Sequence, residues 1–127
     1  MSYMLLIIEP VGQRAQRSRP EGEAAYESMQ RFGESLRARG KLKAVESLAS
    51  TASAVRVQVD GGKTRLLDGP FAEAKEMVGG FFLLDCNTLA EAIEIASECP
   101  AAQWATVEVR GLAPCFEDGA GGNRASA

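Results

Sequence analysis

Apolar and polar positions alternate with changing period along this chain, and the changes mark its elements. Tyr3 to Glu9 is a short apolar run closed by Pro10, the pattern of a buried strand. Residues 10–19 are polar and loop-like. Ser18-Arg19-Pro20-Glu21 combines an N-cap serine, an early proline and a glutamate three residues after the cap, a helix start. Ala25, Met29, Phe32 and Leu36 then follow at helical spacing, and Gly40 ends the helix. Leu42 to Leu48 reads as a second strand, with Glu46 an acidic member of the apolar row Leu42, Ala44 and Leu48. Val55, Val57 and Val59 alternate with polar residues, and Asp60-Gly61-Gly62 is turn chemistry, so residues 54–68 form a hairpin.

Asp68-Gly69-Pro70-Phe71 breaks that pattern, and a turn through residues 72–75 follows. Val78 to Asp85 is the most apolar strand, and Gly79 and Gly80 let another backbone or a ligand approach closely. Thr88-Leu89-Ala90-Glu91 is a capping box opening a second helix, whose buried stripe is expected at Leu89, Ile93 and Ala96. It ends before Pro100. Trp104 to Arg110 is the last strand, with Ala105, Val107 and Val109 on one face and Trp104, Thr106, Glu108 and Arg110 on the other.

The order is β-α-β, hairpin, β-α-β. This predicts an α+β, ferredoxin-like split βαβ fold with an inserted β-hairpin. Both helices would cover one sheet face. The strand at 78–84 is apolar on both sides, so the other face also needs cover, and a second copy of the chain is the economical one. A homodimer is therefore expected. Residues 1–112 form the single domain. Residues 113–127, rich in glycine and alanine, read as a flexible tail.

Composition narrows the function classes. The chain has 127 residues, 46% of them apolar, and a net charge of −3. No cluster of Lys or Arg suits phosphate contacts, so nucleic acid is not expected as a partner. The apolar start at 4–8 is too short for a membrane span, and a cytoplasmic location is expected. Three cysteines without CxxC fit reduced thiols. There is no histidine. Ser-His-Asp and Cys-His catalysis and most transition-metal sites are thereby removed, and acid–base work falls to carboxylates, Lys, Tyr or Cys. No metal and no cofactor are expected.

Tyr3-Met4-Leu5-Leu6-Ile7, the stretch from Asp68-Gly69-Pro70-Phe71 through Ala72-Glu73-Ala74-Lys75-Glu76, Gly79-Gly80-Phe81, and Val107-Glu108-Val109-Arg110 together resemble the YCII-related family in its DGPF-motif branch. The resemblance covers roughly residues 2–112. It implies a fold of the dimeric α/β-barrel type, a pocket beside the DGPF turn, and a bacterial accessory protein of the kind found next to extracytoplasmic-function sigma factors. Better-understood relatives use a His–Asp pair in lyase chemistry, and this chain has no histidine to supply it.

Candidate chemistry centres on that turn. Asp68 and Glu73 are the candidate catalytic carboxylates, and Lys75 could neutralise an enolate or a carboxylate. Glu46, Asp68, Phe71, Glu73, Lys75, Glu108 and Arg110 form the candidate ligand-binding set, with Arg110 able to clamp an acid. Helix or turn capping by Asp68 and a salt bridge between Glu108 and Arg110 are the competing structural readings. Three functions follow: binding of a small organic acid, cofactor-free lyase or isomerase chemistry on such an acid, or a structural or sigma-factor-associated interaction module.

Overall fold

The computed structural model describes residues 2–116. The tail read at 113–127 falls mainly on residues 117–127, outside the described residues. Strands β1 (Tyr3–Pro10), β2 (Leu42–Ser47), β5 (Glu76–Leu84) and β6 (Thr106–Gly111) form one antiparallel sheet in the order β2-β5-β1-β6. Helices α1 (Arg19–Ala38) and α2 (Leu89–Glu98) make the two crossovers, and β3 (Val55–Asp60) and β4 (Lys63–Asp68) pair only with each other. This is the ferredoxin-like α+β arrangement with an inserted hairpin.

Local chemistry sets the ends of the elements. At α1 the capping box is complete: Glu21 N–H donates to Ser18 Oγ at 3.2 Å, and Ser18 N–H donates to Glu21 Oε1 at 2.7 Å. Gly40, at φ +70°, ends the helix while Lys41 N–H returns to Leu36 O at 2.9 Å. The β3–β4 turn places Gly61 and Gly62 both at positive φ, as a two-residue hairpin turn requires.

The core lies between the helices and one face of the sheet. Tyr3, Leu5 and Ile7 of β1 alternate inward with Phe82 and Leu84 of β5, against Phe32 and Leu36 of α1. Phe32 and Phe82 meet edge to face with centroids 5.2 Å apart.

Four sequence expectations are corrected here. In α2 the buried stripe is Ala92, Ile95 and Ala96, while Leu89 and Ile93 are exposed. Apolar residues occupy two adjacent stripes of this helix, and packing on β1 and β6 selects the other one. Only half of the expected capping box forms at its start: Glu91 N–H donates to Thr88 Oγ1, but the Glu91 carboxylate pairs with Lys41 at 2.7 Å. In β2 an irregularity between Leu42 and Ala44 turns Leu42 to the helix side with Val45, leaving Ala44 and Glu46 on the far face. Trp104 does not start β6. It closes a 3-10 turn over Pro100–Gln103 and packs toward the core.

The far sheet face carries Met4, Leu6 and Ile8 of β1 opposite Leu83, Phe81 and Val78 of β5. Helices α1 and α2 both pack on the opposite face. Glu108 and Arg110 of β6 lie on the same face, opposite Leu6 and Met4.

Candidate functional site

The alternation that buries Tyr3, Leu5 and Ile7 continues to Glu9, whose side chain therefore points to the helix side of the sheet. It is 6% exposed, the one buried charged residue among the described residues. A carboxylate so placed needs a partner. Arg14 supplies it from the 3-10 turn Arg14–Gln16 directly after β1, with Nε 2.6 Å from Glu9 Oε1. Gly12, at φ +92°, and the bond from Gln13 N–H to Pro10 O fold the chain back to make this reach possible.

Arg14 also donates through Nη1 to Leu48 O at 2.9 Å and through Nη2 to Gly79 O at 3.4 Å. One guanidinium thus ties together the ends of β1 and β2 and the middle of β5. A Cβ on residue 79 would collide with the Glu9 carboxylate and lie 2.9 Å from Arg14 Nη2. Gly80 is bare for a similar reason: its Cβ would sit 2.8 Å from Glu46 O. The close approaches expected at these glycines are therefore present.

A cleft of about 510 Å³ opens above this clamp, between α1 and the sheet. That volume suits a small organic molecule. Tyr26 and Met29 of α1 and Trp104 make its apolar wall, with Arg17 at the rim. The Arg17 guanidinium lies 5.5 Å from the Trp104 ring centre and donates to Gln13 Oε1 at 3.4 Å, while Gln13 Nε2 donates to Trp104 O at 2.8 Å. Arg14 has three of its five N–H groups engaged by the protein. The arrangement offers guanidinium donors beside a carboxylate under an aromatic wall.

The residues singled out from the sequence fall in three places. Glu46 borders the cleft through the strand that packs on Gly80, with its side chain exposed. Asp68, Glu73 and Lys75 are exposed on the bend after β4, and Phe71 is buried there with the Arg56 guanidinium 3.7 Å above its ring. That bend is fixed by its backbone: Gly69 N–H donates to Ala54 O, Ala74 N–H to Phe71 O, and Val11 N–H to Lys75 O. The Gly69–Pro70 bond is cis. Glu108 and Arg110 pair at 3.8 Å on the far sheet face. None of Asp68, Phe71, Glu73, Lys75, Glu108 and Arg110 lines the α1 cleft.

Glu9, Arg14, Arg17 and Trp104 were not among the expected site residues. The available signal was the parity of β1, which puts an acid in register with three buried apolar residues. Among the described residues, no group of His, Cys, Asp and Glu could hold a metal ion, and no helix is long and apolar enough to cross a membrane.

Fold and cleft together define a small ferredoxin-like protein with a ligand-sized hollow beneath its first helix. The chain belongs to the YCII-related domain family, whose family model matches residues 1–115. It is also similar to an uncharacterized protein of Rhizobium meliloti (strain 1021), 43% identical over 76 residues. That match covers 58% of this chain and 61% of the relative.

Proposed function

We propose that this chain is a cytoplasmic, homodimeric binding protein for a small organic acid, of the DGPF branch of its family, and that the acid occupies the cleft beneath α1. The observation that carries this reading is the Glu9–Arg14 clamp: a nearly buried carboxylate and a three-point guanidinium at the floor of a cleft walled by Trp104. Arg17, held at the rim by one long hydrogen bond and the indole, meets the ligand carboxylate. The carbon skeleton lies against Tyr26, Met29 and Trp104. The homodimer rests on the far sheet face, whose apolar row on β1 and β5 lies opposite the side packed by α1 and α2.

A second reading, carboxylate acid–base catalysis on the same acid, is favoured by the position of Glu9, which borders the cleft, with Arg14 beside it to stabilise an enolate. Asp68 and Glu73 would serve that chemistry only for a ligand reaching the bend after β4.

Trp104 is the sole tryptophan, so its fluorescence reports cleft occupancy directly. Small aromatic and aliphatic carboxylates should quench it and raise the melting temperature, with Kd on the order of 1 mM or below. Their uncharged amides should not. Arg17→Ala should weaken binding about tenfold, the loss of roughly 1.4 kcal/mol expected of one exposed charge-assisted bond. If no carboxylate at ~10 mM moves either signal, a range reaching well above the weakest affinity expected, the binding reading fails. Turnover that vanishes in Glu9→Gln while quenching persists would select the catalytic reading.

A further inference from the structure

The β3–β4 hairpin is a two-stranded ribbon in which every strand residue is exposed. Its register places Val55, Val57, Val59 and Leu66 on one face. These residues are between 51% and 69% exposed, so four large apolar groups stand together on one open face. Apolar surface of this extent on a short hairpin marks a docking element. A lone two-stranded ribbon also has little stability of its own.

We infer that this hairpin is an exchange arm, and that its apolar face packs on a second copy of the same chain. The inference rests on the homodimer proposed above and says which element completes it. Area makes the argument. Strands rise about 3.3 Å per residue and lie about 4.8 Å apart, so the four-stranded sheet presents a patch of roughly 20 Å by 20 Å, on the order of 400 Å². A stable interface takes about 800 Å² from each partner. Sheet-to-sheet contact alone thus supplies about half of what is needed. The hairpin adds about 200 Å² of projected face before side-chain relief is counted, and a two-fold arrangement makes the same contribution twice.

Charge agrees with this choice of occupant. The hairpin carries Arg56, Lys63 and Arg65 against Asp60 and Asp68, on a chain whose net charge is −3. A weakly basic arm therefore meets an acidic body when two copies associate.

The test compares three full-length proteins by sedimentation equilibrium over micromolar concentrations: wild type, Val57→Asp with Leu66→Asp, and Leu6→Asp. Val57 and Leu66 are exposed in the single chain, so the arm variant should keep its circular dichroism spectrum. The expected result is a wild-type dimer whose dissociation constant rises at least tenfold in the arm variant. A wild-type dimer weakened by Leu6→Asp but unchanged by the arm substitutions would overturn the arm and leave the dimer standing. A monomeric wild type would overturn both.

Discussion

The carboxylate of Glu9 occupies the space in which residue 79 would carry its Cβ. The two positions lie on neighbouring antiparallel strands, next to the irregularity where the register shifts between Ile7 and Ile8. The shift leaves Gly79 without a cross-strand Cα partner on β1 and exposes its carbonyl to Arg14. One missing side chain thus makes room for an acid, and the acid holds the arginine that forms the cleft floor.

Gly79→Ala should therefore cost roughly 1–3 kcal/mol, the usual range for overpacking. The penalty should shrink when Glu9→Ala is added, because the colliding carboxylate is gone. Urea denaturation of the two single variants and the double variant checks this. Additive losses would show that the contact is not the cause.

The clamp predicts an asymmetry between its partners. Breaking a buried ion pair costs about 3–5 kcal/mol, and an exposed one about 0–1 kcal/mol. Glu9 is 8% exposed at its side chain and Arg14 37%. Arg14→Met, which strands the acid, should lose about 2 kcal/mol, between those limits. Glu9→Gln should lose less, since the half-exposed guanidinium can turn to water. Equal midpoints for the two variants in urea would contradict this.

Lys41 and Glu91 predict a pH response. The hydrogen bond from Lys41 holds the Glu91 carboxyl below its ordinary range, and the same bond raises the Lys41 ammonium. An unfolded Glu titrates near 4.3 and an unfolded Lys near 10.4. The carboxylate contribution is thus fully present above about pH 4.3 and is lost as pH falls through the lower folded value. The ammonium contribution is present below about pH 10.4 and is lost as pH rises through the higher folded value. Glu91→Gln should flatten the fall in melting temperature between about pH 5 and pH 2 relative to wild type.

The three cysteines should separate by reactivity. Cys86 and Cys99 are buried, and burial pushes both thiols up, while Cys115 is exposed. An aromatic disulfide reagent at pH 8 should titrate one thiol quickly in the native protein and all three in denaturant. Fast reaction of two or more native thiols would show that the helix–sheet core opens readily.

Strand and helix periods were enough to read the split βαβ order and the hairpin, because each buried face repeats a local pattern. The α2 stripe was not legible, since Ile93 and Ile95 are equally apolar and only docking on β1 and β6 distinguishes them. The cleft was harder still. Its floor joins residues 9, 14, 48 and 79, and two of its bonds go to backbone carbonyls, brought within reach by a bulge and a turn that no single segment encodes. The bend at Asp68 drew notice because its charges are dense in sequence, whereas the Glu9–Arg14 pair is assembled only by the fold.

Arg14 grips Leu48 and Gly79 by their carbonyl oxygens, and Glu9 by its side chain. Position 48 can accordingly drift to other residues, its oxygen staying in place. Positions 9, 14 and 79 cannot drift separately: a larger residue at 79 evicts the acid, a lost acid releases the arginine, and a lost arginine strands the acid. Among sequences that share this hollow, those three sites should change as a set or stay fixed together.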